Sequence, residues 1–383
     1  MPSDSSANNL PKIFFATRPI GPPWDEASKN SVFQIAKNLK NFSGVLLTYK
    51  DQEKLLTQTT ILELPIYPPN NTREVSLRQK TSFFLSLVQS QASIYHFYFT
   101  PELHSSNILR IIKKFKKGRF IQTFSTPIEN DHLISKLAFG DAVVVQSDYS
   151  LERFKRQGIQ NVSRIYLGVD TDVFKPGIDT NPLKLKLNIL KNEPVILYGG
   201  NYYLGCNQEL AETIVTLVKK YRKIKFILAC RISKSQDLKE KKHLQNILHR
   251  EQVLDRVLFL EQVENMAALI VMSDLHIFPA RTMTKKADIP MVLLETLSMG
   301  KPIVITDIPP LNEIMKDDVG IVVPPGNVSS LIESIQELLE NPVLRQTKGK
   351  KGREMILHEF SLKSYLNHYN NLYNKLMCEE KTN

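Results

Sequence analysis

What this sequence lacks narrows it before any motif is read. Its 383 residues hold three cysteines and a single tryptophan. Cys206, Cys230 and Cys378 show no paired spacing, so neither a disulfide framework nor a zinc site is indicated, and a reducing, cytoplasmic setting is expected. There is no apolar run of about eighteen residues, the length a membrane helix needs, and the polar start of the chain argues against a signal peptide. No Gly-x-Gly-x-x-Gly opens either half, which leaves nicotinamide or flavin redox chemistry unsupported. A Walker loop, a serine nucleophile elbow and a His-rich metal set are also missing, so no metal site and no bound cofactor are expected. Low-complexity tracts are absent.

What is present is an ordinary globular composition, 42% hydrophobic and 23% charged, in a chain long enough for two cores. The formal net charge is +11. Its densest stretch, Arg110-Ile111-Ile112-Lys113-Lys114-Phe115-Lys116-Lys117-Gly118-Arg119, reads either as the solvated face of a helix ending near Gly118 or as a patch attracted to anionic lipid headgroups or phosphorylated substrates. No aromatic stacking platform accompanies the charge, so nucleic acid is not an expected partner.

Short apolar strands alternate with helical patterns from end to end, the signature of open, mainly parallel α/β sheets. Residues 12–17, 44–49, 92–97, 118–124, 142–146 and 162–166 read as strands of a first domain, with helices over 29–39, 81–91 and 106–115. The polar segment Lys175-Pro176-Gly177-Ile178-Asp179-Thr180-Asn181-Pro182 reads as an interdomain linker. Residues 195–198, 225–229, 257–260, 275–278, 303–306 and 320–323 repeat the strand pattern. The expected architecture is therefore two Rossmann-like domains facing a cleft: residues 1–176, residues 177–360, and a terminal helix over 361–383 returning to the first domain. In that helix Tyr365, Tyr369 and Tyr373 form a stripe at helical spacing, read as core packing.

The residues able to carry chemistry collect at predicted strand ends. The segment from Ile289 to Ile305 reads as a buried helix with one carboxylate, Glu295, ending at Gly300 before an apolar strand. A carboxylate in such surroundings is costly unless a ligand or partner satisfies it. Pro290 suits the first helical turn, and a helix start followed one turn later by a carboxylate can bind a phosphate and a sugar hydroxyl together. Gly199-Gly200-Asn201 follows a strand; its glycines permit close backbone approach to a ligand, or simply a tight turn. Arg231 follows the next strand, where it can grip a diphosphate or form a surface ion pair. Lys286, in Thr284-Lys285-Lys286-Ala287-Asp288, either supplements the helix start or is exposed. In the first domain the loop Arg18–Asn30, with Gly21, Trp24, Lys29 and Asn30, follows the first strand and would face the cleft. His96, in Ile94-Tyr95-His96-Phe97, reads as a hydrogen-bonded core residue or as a catalyst.

Taken in order, these motifs resemble the family-4 glycosyltransferases of the GT-B fold. The resemblance is carried by Asp141-Ala142-Val143-Val144-Val145-Gln146-Ser147, by Ile165-Tyr166-Leu167-Gly168-Val169-Asp170 running on to Pro176, by Asp255-Arg256-Val257-Leu258-Phe259, by Met272-Ser273-Asp274-Leu275-His276-Ile277-Phe278-Pro279, and by Leu293-Leu294-Glu295 through Ile305. It implies metal-independent transfer of a sugar from a nucleotide-sugar co-substrate, with retention of configuration, to a glycan, polysaccharide or lipid-linked acceptor at the inner face of a membrane. It also implies that the second domain holds the donor. Glu295 matches the glutamate that holds the ribose hydroxyls, and Val263 the backbone position that reads the base. The stretch Asp288-Ile289-Pro290-Met291 would then face the diphosphate and its sugar.

The chain departs from that pattern at three places. The first of the family's paired glutamates is Ala287, with Asp288 beside it. The usual Arg and Lys of the phosphate site are Asn201 and Leu204. The usual first-domain histidine is Ser125. This is the mark of a divergent subgroup in which Arg231 and Lys286 take over charge neutralisation and His96 contacts sugar or acceptor. The alternatives are a non-catalytic nucleotide-sugar-binding relative and a GT-B epimerase; a GT-B phosphorylase would require a larger chain.

Overall fold

The computed structural model describes residues 10–22, 24, 26–68, 76–232, 234–283 and 286–380. The chain divides into two compact units: residues up to Gly168 joined by those from Lys363 onward, and Val169–Leu362.

The first unit runs β1 (Lys12–Ala16), α1 (Ala27–Lys37), β2 (Ser43–Tyr49), β3 (Ile61–Tyr67), α2 (Leu77–Gln89), β4 (Ile94–Tyr98), α3 (Leu103–Lys114), β5 (Arg119–Thr123), α4 (Ile134–Leu137), β6 (Ala142–Val145), α5 (Asp148–Arg156) and β7 (Val162–Arg164). Its strands form one parallel sheet in the order β3-β2-β1-β4-β5-β6-β7. Covered on both faces, the central strands need apolar side chains at successive positions, which is why β1 and β4 read as nearly continuous hydrophobic runs, broken only by Lys12 at the start of β1 and His96 within β4. Strand β3 was not expected. It carries Pro65, which removes a ladder donor, and it is tolerated because β3 lies at the sheet edge. Helix α2 starts at Leu77, four residues earlier than the pattern suggests, because Ser76 and Gln79 form a reciprocal capping box.

The second unit runs α6 (Asn181–Lys186), β8 (Val195–Tyr198), α7 (Asn207–Lys220), β9 (Lys225–Ala229), α8 (Ser235–Arg250), β10 (Val257–Leu260), α9 (Met266–Met272), β11 (Leu275–Phe278), α10 (Met291–Ser298), β12 (Ile303–Thr306), β13 (Gly320–Val323), α11 (Val328–Glu340) and α12 (Pro342–Glu359). The parallel sheet order is β10-β9-β8-β11-β12-β13. All six strands have the bounds read from the sequence.

The stretch read as a linker belongs to this second unit. Phe174, Ile178, Leu183 and Leu187 pack on the cluster around Val195, Leu197 and Ile270, and Arg353 donates to the carbonyls of Phe174 (2.8 Å) and Thr171 (3.3 Å). Its Pro and Gly residues shape α6 and its approach rather than a free tether. The chain crosses between units at Gly168/Val169, where Val169 N–H donates to the Phe360 carbonyl at 2.8 Å and the Val169 carbonyl accepts from Leu362 N–H at 2.7 Å.

The terminal helix α13 (Leu362–Glu380) packs on the first unit with Tyr365, Tyr369 and Tyr373 buried, as the stripe suggested. Two aspartates of the family-like motifs turn out to be structural. Asp141 Oδ2 accepts from Phe120 N–H at 2.7 Å, and Asp274 Oδ2 accepts from Val195 N–H at 2.9 Å. Each ties the approach to one strand to the start of a neighbouring one.

Candidate active site

The second unit gathers its polar side chains where its strands end. In an open α/β sheet, ligands bind outside the strand C-termini at the point where the strand order reverses. Here the reversal lies between β8 and β11. Asn201 follows β8, Arg231 follows β9, Val263 follows β10, and Lys286 lies between β11 and α10.

Lys286 donates to Asn201 Oδ1. Burial, and then the nearby Arg231 guanidinium, pull the Lys286 ammonium down to about 8. Two cations held close together and partly desolvated form a site that gains from an arriving anion. Of the sequence expectations, this is the group the structure brings together most directly: Asn201, Arg231 and Lys286. Thr284 and Lys285, in the same loop, lie outside the described residues.

Glu295 stands one turn into α10. It keeps part of its surface in solvent, yet burial raises its carboxyl to about 7. Among the described residues no hydrogen-bond or ion-pair partner for the carboxylate is found. The backbone of α10 differs slightly from expectation. Pro290 is the N-cap in an extended conformation and Met291 opens the helix, because an extended ψ of 124° puts Pro290 outside the helical region. Asp288, Ile289 and Pro290 are buried, and Met291 is half-buried. Val263 is half-buried against the cluster that includes Leu269 and Ile270. Leu204, which the resemblance set in place of a phosphate-site lysine, is fully buried.

Gly199 and Gly200 are required for packing. A Cβ on Gly200 would lie 2.3 Å from the hydroxyl of Tyr198, and one on Gly199 would lie 2.8 Å from Val292 of α10. The glycines let the end of β8 press against Tyr198, Val292 and His276.

The residue that sequence reasoning missed is His276, fully buried on β11. Its Nε2 accepts from Gly199 N–H at 2.9 Å, so the proton sits on Nδ1, which donates to Thr296 Oγ1 at 2.7 Å. The Thr296 hydroxyl in turn donates to the Val292 carbonyl at 2.7 Å. One imidazole thus couples the β8 loop to the helix that carries Glu295. Burial, with the charge of Lys286 adding to it, pushes His276 down to about 3, so the neutral tautomer persists through the physiological range. A polar side chain between Leu275 and Ile277 on a buried strand was the available signal.

The first unit corrects the expectation for His96. It is fully buried, its Nδ1 lies 2.8 Å from the Tyr373 hydroxyl, and its Nε2 lies 2.9 Å from Thr123 Oγ1. Both ring nitrogens are occupied, and burial lowers the imidazole to about 3. Such a histidine neither contacts a sugar nor moves a proton near neutral pH; it fastens α13. Lys29 is also buried, with Nζ donating to the Gly21 carbonyl at 3.0 Å, and Asn30 Nδ2 donates to the Trp24 carbonyl at 3.2 Å. These two side chains hold the loop after β1 in shape. Pro23 and Asp25 of that loop lie outside the described residues. Ser125 is half-buried just past the end of β5.

Comparison with known proteins bears on both units. Residues 179–355 match the family model described as glycosyl transferases group 1. The chain is 22% identical over 277 residues to N-acetyl-alpha-D-glucosaminyl L-malate synthase of Bacillus anthracis, covering 66% of this chain and 70% of that enzyme. It is 26% identical over 234 residues to a GDP-mannose-dependent monoacylated alpha-(1-6)-phosphatidylinositol monomannoside mannosyltransferase of Corynebacterium glutamicum, covering 58% of each. Anabaena HepE, solved in complex with UDP-glucose, superposes with a TM-score of 0.76 at 17% identity over 95% of this chain and all of that one. With a group 1 domain over 179–355 and two parallel-sheet units of the GT-B fold, the chain is a glycosyltransferase.

Proposed function

We propose that the protein moves a sugar, with retention of configuration, from a nucleotide-sugar donor to a lipid-linked, polysaccharide or other glycan acceptor, without a metal ion. The observation that carries this reading is Glu295: a carboxylate raised to about 7 by burial, with no partner among the described residues, on a helix coupled through His276 to the loop after β8. Ribose hydroxyls would supply the donors it lacks. HepE binds UDP-glucose on the same fold, and the Corynebacterium relative is GDP-mannose-dependent with a phosphatidylinositol-linked acceptor. These support the substrate classes without naming the sugar or the base.

In this mechanism the donor diphosphate lies against Arg231, Lys286 and the backbone of Gly199, Gly200 and Asn201. The backbone near Val263 reads the base, while Asp288 through Met291 border the transferred sugar. The bond from the anomeric carbon to the phosphate oxygen breaks as the acceptor oxygen bonds to the same face of that carbon, and the acceptor proton passes to the departing phosphate. Arg231 and Lys286 offset the charge developing on that phosphate, and cations preorganised in a partly dry site are effective in that role. They would also serve in place of the family's phosphate-site Arg and Lys, which makes the chain an active member of a divergent subgroup.

The test is thermal stability of the purified protein with UDP-, GDP-, ADP- and dTDP-sugars, beside Glu295→Ala, followed by donor turnover with the base that binds. A ligand at a hundred times its Kd adds about 2.7 kcal/mol of apparent stability. A shift with one base that is absent in Glu295→Ala, together with turnover, supports the reading. Binding without hydrolysis or transfer from any donor would assign a non-catalytic role instead, the outcome that Ala287 in place of a glutamate favours.

A further inference from the structure

The basic stretch that stood out in the sequence resolves into two kinds of side chain. Arg110 donates to the carbonyls of Ser135 (3.0 Å) and Ala138 (2.8 Å), Lys113 to that of Phe139 (3.0 Å), and Lys116 to that of Val88 (2.8 Å). Lys113 also pairs with Asp141. These three hold the first unit together. Lys114 and Lys117 instead point into solvent, and between them lies Phe115, 82% exposed. An exposed phenylalanine flanked by exposed lysines with no partner among the described residues is not explained by packing.

The surroundings extend the pattern. Helices α2 and α3 pack on the same core cluster through Leu87 and Leu109, and the Lys116 contact joins the second residue after α3 to the last turn of α2. On their outer sides α2 exposes Leu85 and Val88, and α3 exposes Ile111, one helical turn before Phe115. Charge is just as one-sided. From Ser76 to Arg119 the sequence has eight Lys or Arg and one acidic residue, Glu102. Neither α2 nor α3 contains an aspartate or glutamate.

From this we infer that the outer face of α2 and α3 docks the first unit on an anionic lipid surface. Leu85, Val88, Ile111 and Phe115 enter the interface between headgroups and acyl chains, while Lys114 and Lys117 meet the headgroup charge. Large apolar side chains interleaved with lysine on one helix face suit a membrane interface, where apolar burial and electrostatic attraction add. A nucleic-acid backbone would use the lysines and leave four aliphatic and aromatic side chains in water. No described helix is long and apolar enough to cross a membrane.

The experiment is co-sedimentation of the full chain with vesicles of phosphatidylcholine alone or mixed with phosphatidylglycerol, at low and high salt and without nucleotide. Binding is expected to the mixed vesicles and to weaken with salt. Ile111→Ser with Phe115→Ser should lower the partition coefficient about tenfold, since the buried apolar area sets much of the affinity. Lys114→Glu with Lys117→Glu should lower it by about a hundredfold through four units of charge change. Leu185→Ser, on an exposed leucine of the second unit, serves as the control and should change nothing. All these side chains are exposed, and an unchanged melting curve separates lost docking from lost folding. Equal binding to both vesicle types, or none to either, overturns the inference. So does binding of single-stranded nucleic acid that competes with the vesicles, or self-association that disappears with Phe115→Ser in the absence of lipid. Because no nucleotide is present, failure here leaves the transferase reading intact.

Discussion

His96 and His276 occupy equivalent places in the two units and do opposite work. Each lies on the strand that neighbours its sheet's first strand across the reversal of order, β4 beside β1 and β11 beside β8. Both are fully buried, and both imidazoles are pushed down to about 3 by burial. Their partners differ. His96 reaches Tyr373 and Thr123, and Thr123 Oγ1 lies 3.0 Å from the Tyr369 hydroxyl, so the network ends in the chain's last helix. His276 reaches Gly199 and Thr296, so its network ends at the loop and helix that bracket the proposed donor site. One position in a repeated fold closes the chain in one unit and positions a binding loop in the other.

The comparison is broken most sharply at His96. Replacing it with alanine removes two buried hydrogen bonds, strands the hydroxyls of Tyr373 and Thr123, and opens a cavity under α13. The cost should be about 4 kcal/mol of first-unit stability. Trp24, the single tryptophan, lies in that unit and its fluorescence reports the loss in urea. If nucleotide affinity of the still-folded fraction fell equally, His96 would belong to the donor site after all. Arg231→Ala tests the other side: Trp24 unfolding stays where it was, while single-turnover transfer slows by about a hundredfold as one charged contact to the leaving diphosphate is lost. Unchanged turnover would remove Arg231 from the mechanism.

His276→Phe should have a smaller effect, about tenfold in donor Kd, because it frees the Gly199 N–H and the Thr296 hydroxyl without touching the ligand. His276→Gln, which can accept from Gly199, should recover most of that loss. A purely structural role would instead lower the melting temperature in both variants and leave Kd alone. Chelation sharpens the same side of the comparison: with Arg231 and Lys286 meeting the diphosphate, EDTA should leave the transfer rate within about twofold.

The sequence was most informative where burial is uniform. Strands β8 to β13 could be bounded residue by residue because each is a short, mostly apolar run between polar turns. It was least informative where a side chain serves the scaffold through one specific contact. Lys29 looks like a surface cation until its ammonium is seen on the Gly21 carbonyl. Residues 175–182 look like a tether until Ile178 is found in the second unit's core. His96 and His276 carry the same signal, a polar residue inside an apolar strand, and only the partners distinguish them. Glu295 was legible because an isolated carboxylate in an apolar helix requires a reason wherever it packs.

The pH dependence of donor binding tests the second unit with the finest resolution. Glu295 titrates near 7 in the folded protein against an ordinary 4.5, so the unliganded fold holds that proton more tightly than the unfolded chain does. Its contribution to stability therefore falls as pH rises from about 4.5 to about 7, and levels off above that. Binding runs the other way, because ribose hydroxyls donate better to a carboxylate than to a carboxylic acid. Affinity should rise severalfold from pH 6 to pH 7.5. Lys286, lowered to about 8, sets the opposite limb: above that pH it loses the charge that holds the diphosphate, and affinity declines. Titration calorimetry across this range should give a maximum between the two values. Glu295→Gln should flatten the acid limb alone, and Lys286→Met the alkaline limb alone. Lys286→Met should also raise the melting temperature of the unliganded protein at neutral pH, since it removes a partly desolvated charge beside Arg231. A flat profile in the parent protein would separate both residues from the donor and leave them as features of the second unit's scaffold, as His96 is of the first.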